Sequence, residues 1–281
     1  MTSLPKLADR PLLEAHRRRA ARSGPETFLF DAVADEIDER LSEVNRRFTR
    51  IAVVTGFPGY WSARFPQARI VADDPVLALD EGAHDLVIHA LALHWADDPV
   101  GQIVQCRRAL APDGLFLCAS FGGRSLNELR SVLAETEAAM SGGLSPRVVP
   151  MAEIRDLGAV LQRAGLALPV ADSDLRTIRY RDLRGLFRDL RGMGETNALA
   201  ARDSRPLSRR FLAEAARRYA GAFADAGGLL PATVETIWLT GWAPAPGQQK
   251  PLRPGSAAAR LADALNAREV PLGESPGGGG D

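Results

Sequence analysis

Residues 85–123, DLVIHALALHWADDPVGQIVQCRRALAPDGLFLCASFGG, decide the fold. Asp85 to Leu93 is a nearly unbroken apolar run, the pattern of a strand covered on both faces in a parallel sheet. Asp98-Pro99 starts a helix: a side-chain acceptor stands at the N-cap, followed by a residue with no N–H to leave unpaired. Val100, Ile103, Val104 and Leu110 give that helix its apolar stripe. Pro112-Asp113-Gly114 then turns the chain into a second apolar strand, Leu115–Phe121. Strand, crossover helix and strand in this order make a parallel α/β unit.

Working outward, Leu29, Val33, Ile37, Leu41, Val44 and Phe48 recur at helical spacing and predict a helix over 27–48. Residues 11–22 read as a short basic helix, closed by Ser23-Gly24-Pro25. Strands are expected at Ile51–Thr55, Ala68–Ala72 and Ala232–Trp242, with Leu166–Tyr180 a strand or hairpin. Ser125–Ala139 carries Leu126, Leu129, Leu133 and Met140 on one side, and Ala152–Arg163 is a helix stopped by Gly165. Leu183–Arg191 and Pro206–Ala226 are helices flanking GMGETN (192–197), in a segment expected to cap the sheet. The division predicted is a basic arm at 1–26, one large domain at 27–243 with the cap at about 181–230, and a Pro/Gly-rich, mostly disordered tail at 244–281.

Composition narrows the function. In 281 residues, 35 basic and 35 acidic side chains cancel, so no overall field draws nucleic acid or anionic membrane. Cys106 and Cys118 fall in a predicted helix and a predicted strand, as small core residues of a reducing compartment would. No apolar stretch reaches membrane-spanning length, and the basic residues 1–22 include Asp9 and Glu14 with no apolar core after them. A soluble protein is expected, cytoplasmic if bacterial and in the mitochondrial matrix if eukaryotic. None of His16, His84, His89 and His94 is followed two residues later by an acid, so no metal site is expected.

The 85–123 unit closely resembles the passage from the fourth to the fifth strand of class I S-adenosylmethionine (SAM) methyltransferases. Arg17–Ala21, Phe28–Arg50, FGGRSLNELR (121–130), GGLSPRV (142–148), RDLGAVLQRAG (155–165) and GMGETNAL (192–199) extend it. In order and spacing they resemble one family, the methyltransferase-like assembly factors of respiratory complex I, of the mitochondrial assembly factor five type. The resemblance covers about Arg17 to Trp242. It implies a Rossmann-like, three-layer αβα fold and the cofactor SAM. It also implies a protein partner among the subunits of complex I, with an arginine side chain as the group modified.

The SAM cradle is where the chain departs from that pattern. The family loop runs roughly acid-x-Gly-x-Gly-x-Gly-Tyr; aligned on Gly59-Tyr60, VVTGFPGYWS puts Val53 at the acid and Thr55 and Phe57 at the first two glycines. Gly59 is in register and Gly56 is displaced by one place. The interval from Gly59 to Asp85 spans 26 residues, too few for two helices and two strands, so the sheet should lack its third strand, an edge. Asp73 and Asp74 sit where the resemblance puts the acid for the ribose hydroxyls; the pair also suits a turn before Pro75.

At the carboxyl ends of the next strands, His94 and Trp95 face cofactor and substrate in this fold, with His94 a base or hydrogen-bond donor, or else close the core. Phe121, Gly122 and Gly123 open room for substrate or form a tight turn. Glu195 and Asn197 offer a carboxylate and an amide to a guanidinium or peptide, with Glu195 a candidate catalytic group; alternatively GMGETN caps one helix and starts the next. The Arg17–Arg19 run reads as a solvated helix face. Two functions stay open: a SAM-dependent enzyme that modifies a protein, or a non-catalytic methyltransferase-fold scaffold with a degenerate SAM site.

Overall fold

The computed structural model describes residues 6–248. The decisive unit forms as its pattern requires. β3 (His84–Ala90) is buried along its whole length, α4 (Pro99–Ala109) is capped by the Asp98 side chain on the Gly101 N–H, and β4 (Leu110–Phe121) lies parallel to β3. Before them come α1 (Arg10–Ser23), α2 (Phe28–Glu43), β1 (Ile51–Thr55), α3 (Pro58–Arg64) and β2 (Arg69–Ala72). After them come α5 (Asn127–Ser141), α6 (Ile154–Arg163), β5 (Ala167–Tyr180), α7 (Leu183–Gly192), α8 (Arg209–Phe223) and β6 (Leu230–Trp242).

One six-stranded sheet runs in the order β2-β1-β3-β4-β6-β5. β2, β1, β3 and β4 are parallel, and β6 is antiparallel to both β4 and β5. Between Gly59 and His84 the chain holds the rest of α3, β2 and a loop, so β2 is the edge and the third strand of the expected sheet is missing. Strand alternation divides the core. Val53, Leu86, Ile88, Leu117 and Ala119 face α2 on one side; Ala52, Val54, Val87, Phe116 and Cys118 face α4 and α6 on the other. α5, α7 and α8 form the cap over a third cluster that includes Leu133, Leu186 and Tyr219. Both cysteines are buried.

Several elements differ from the sequence reading. α2 ends at Glu43 rather than Phe48, because the Asp85 carboxylate accepts the N–H groups of Thr49 and Arg50 and holds this segment extended into β1. β3 stops at Ala90: Leu91 is left-handed (φ 49°), and Leu93–Trp95 is a buried 3-10 turn. A buried turn is as apolar as a buried strand, so residues 91–93 look alike in sequence. β4 begins at Leu110, which pairs with His84, so the Pro-Asp-Gly segment is an irregular start to the strand. β5 is one long strand rather than a hairpin. The predicted Pro/Gly-rich tail lies outside the described residues from 249 onward.

Candidate functional site

The loop after β1 is closed on itself. The Thr55 hydroxyl accepts the Phe57 N–H at 3.1 Å, one of the backbone donors a ligand would need. Val53 is fully buried among apolar side chains and offers no acceptor. The Phe57 ring packs 4.9 Å from Phe30, and a side chain at Gly194 would stand 2.7 Å from it. Gly59 has open space around it, whereas a side chain at Gly56 would land on the Arg17 guanidinium.

Arg17 corrects the reading of the Arg17–Arg19 run. Arg18 is exposed, but Arg17 is buried at 6% exposure, its Nη1 donating to Asp73 at 2.8 and 3.0 Å. Arg10 donates to the same carboxylate at 3.1 and 3.3 Å. Burial alone would raise the Asp73 pKa, but Arg17 and Arg10 hold it down at about 2. Asp74 is half exposed and lies 3.6 Å from Arg10. The acid placed for a ribose is thus taken by two guanidinium groups, and one of them, that of Arg17, also roofs the displaced glycine Gly56. As arranged, these residues do not fit SAM: the acceptor at the end of β1 is absent, and the one at the end of β2 is spent.

A second constellation forms above β3 and β4. His94 and Trp95 stand on the 3-10 turn, and Glu195 comes from the loop after α7. The Trp95 indole N–H donates to Glu195 Oε2 at 2.8 Å, and His94 Nε2 donates to the same oxygen at 3.2 Å. The His94 ring packs 4.9 Å from Phe121. Burial would raise the Glu195 pKa, yet the adjoining His94, Arg17 and the indole N–H together lower it, so the carboxylate is ionised. Among the described residues no donor reaches Oε1.

GMGETN is shaped by close approach. The Glu195 N–H returns to the Leu190 carbonyl at 2.8 Å and closes α7, with Gly194 left-handed at φ 71°. The segment does not start the next helix, whose N-cap is Ser208. Asn197 instead donates to the Pro146 carbonyl and accepts the Leu199 N–H, both at 3.0 Å.

Below Glu195 lies a cavity of about 620 Å³ between sheet and cap. Trp95, Phe121, Glu195 and Asn197 line it. Gly122 and Gly123 stand behind the wall: a side chain at Gly122 would meet Glu235 at 2.6 Å and Ile237 at 2.7 Å, so the glycine serves packing. His89 is fully buried and bonded to Gln102 at 2.7 Å, away from the cavity. The sequence reading missed His16 of α1 and Arg147, both in the wall. Arg147 lies inside the GGLSPRV motif, which could have marked it; nothing in the local sequence distinguishes His16 from a helix-face residue. Among the described residues no three His, Cys, Asp or Glu side chains are placed to hold a metal ion, and no helix is long and apolar enough to cross a membrane.

Among known proteins, a family model described as a methyltransferase domain matches residues 36–118. The protein of Rattus norvegicus named arginine-hydroxylase NDUFAF5, mitochondrial, is 31% identical over 285 aligned residues, covering 91% of this chain and 82% of the rat protein. The protein of the same name from Danio rerio is 35% identical over 198 residues, 70% of this chain. That match spans 61% of the Danio rerio protein's own length. Among solved structures, the YcgJ protein of Bacillus subtilis is 13% identical with a TM-score of 0.46, covering 76% of this chain and 99% of that one.

Proposed function

The chain belongs to the family of the arginine-hydroxylase NDUFAF5, and from that premise we propose that it captures an arginine side chain of a protein partner in respiratory complex I assembly. One observation carries the reading. A buried, ionised carboxylate, Glu195, is held through one oxygen by His94 and Trp95 while its other oxygen faces a cavity of about 620 Å³. That volume is typical of a small-ligand pocket, and a fixed carboxylate favours cationic donors; of the arginines in the wall, Arg147, Arg202 and Arg205 are paired with Glu137, Asp9 and Asp203. A guanidinium entering from the cap would donate to Oε1. Trp95, 1% exposed, offers little ring face for stacking and acts by fixing Glu195.

Of the two classes open from the sequence, modifying enzyme and assembly scaffold, the closed loop after β1 favours the scaffold. We place the protein in the cytoplasm if bacterial and in the mitochondrial matrix if eukaryotic.

The test is calorimetry with blocked peptides carrying one central arginine, citrulline or lysine, against the parent and Glu195→Gln. A hydrogen bond to a charged group contributes about 1.5–3 kcal/mol, so the glutamine variant should bind the arginine peptide roughly 10- to 150-fold more weakly. Equal affinity in a folded Glu195→Gln protein, or equal binding of arginine and citrulline peptides, would overturn the proposal.

A further inference from the structure

α7 presents a row of arginines with no carboxylate to answer it. Arg184, Arg188 and Arg191 follow one another at helical spacing, and Arg181 continues the row one turn before the helix. All four are exposed, while Leu183 and Leu186 on the opposite side are buried in the cap. The acids of the segment are used elsewhere: Asp182 caps the helix on the Gly185 N–H at 2.8 Å, and Asp189 takes the Tyr180 phenol. Among the described residues none of the four arginines makes a salt bridge. The contrast with α8 is direct, where Arg217 and Arg218 share Glu214.

The cap as a whole repeats the imbalance. Residues 181–230 hold ten arginines and six carboxylates, in a chain whose charges cancel overall. The row also ends at a functional place, since Arg191 lies in the wall of the cavity that contains Glu195. Like charges aligned on one helix face repel each other, and complementary charge from outside relieves that repulsion.

We infer that the α7 row is the docking surface for an acidic segment of the partner protein, flanking the arginine that enters the cavity; this rests on the arginine-capture reading above. A protein segment suits the surface better than a nucleic acid. The row spans one helix of ten residues, roughly 15 Å, and an acid stands at its end, where the Glu26 N–H bonds the Gly192 carbonyl and the Glu26 side chain lies against Gly192. A polyanion needs a longer positive track to release its counterions.

The experiment titrates the full chain with blocked peptides by fluorescence anisotropy. Each has a central arginine or citrulline and a flank of three glutamates or three glutamines, and the proteins are the parent and Arg184→Gln/Arg188→Gln. The glutamate flank should tighten binding at least about fivefold, and the double variant or 0.5 M salt should remove the gain. Equal binding of glutamate and glutamine peptides in the parent overturns the docking surface while leaving arginine capture intact. A glutamate gain in the parent that persists undiminished in the double variant overturns it too. Indifference to citrulline with a glutamate gain that the double variant loses overturns arginine capture and keeps the docking surface. A twelve-nucleotide single strand that displaces the acidic peptide at lower concentration than the peptide itself overturns the choice of a protein segment.

Discussion

Replacing Arg17 by methionine keeps the apolar stem and removes the charge that closes the loop after β1. Arg17 and Asp73 are 6% and 4% exposed, and Arg17 gives Asp73 two hydrogen bonds of 2.8 and 3.0 Å. Breaking a buried ion pair by removing one partner costs about 3–5 kcal/mol. Two features reduce that here: Arg10 stays on the carboxylate, and the lost guanidinium has a buried Nε without a partner. A loss of about 2–3 kcal/mol is expected, which for a domain of this size lowers Tm by roughly 5–10 °C.

The pH dependence provides a second check. Asp73 falls from 3.8 to about 2 on folding, a stabilisation of about 2 kcal/mol. Because the folded carboxyl titrates below the unfolded one, this stabilisation is complete above the unfolded value and is lost as pH falls through about 2. In Arg17→Met the Asp73 pKa moves back up and the loss between pH 4 and 2 shrinks. Urea unfolding of the parent, Arg17→Met and Arg17→Met/Asp73→Leu at pH 7 and at pH 3 measures both effects. The double variant removes the buried pair and leaves Arg10 to Asp74, 3.6 Å away, so it should recover part of the lost stability. If Arg17→Met stays within about 0.5 kcal/mol of the parent and keeps the same acid slope, the Arg17–Asp73 pair does not stabilise this part of the fold.

SAM titrated by calorimetry should show no micromolar binding. Each charge-assisted hydrogen bond lost costs about 2 kcal/mol, or thirtyfold, so losing two moves a micromolar site towards millimolar; a micromolar Kd disproves the misfit at β1. Cys106 and Cys118 are raised by burial and should react with a thiol reagent only as the chain unfolds, so fast modification of the native protein would contradict their packing. Gly122→Ala should lower stability by about 1–3 kcal/mol in a thermal melt, because its side chain meets Glu235 and Ile237; an unchanged Tm would mean the turn has room to open.

The sequence by itself determined the sheet, its missing edge and the cap. Apolar runs, helical spacing and the shortness of the 59–85 interval are local properties, and local geometry converts them directly into strands, helices and an absent strand. It also marked His94, Trp95 and Glu195, since loops that leave the carboxyl ends of neighbouring strands must share one end of the sheet. Only the tertiary structure decided what those residues do. Arg17, Arg18 and Arg19 are chemically identical, and helix phase alone turns the first towards Asp73, 56 residues away, and leaves its neighbours in water. Glu195 becomes a fixed carboxylate because an indole 100 residues earlier in the chain meets one of its oxygens, while among the described residues no donor meets the other. Pairings across such distances depend on the docking of α1 and the cap on the finished sheet, and no spacing in the chain encodes which charge will find a partner there.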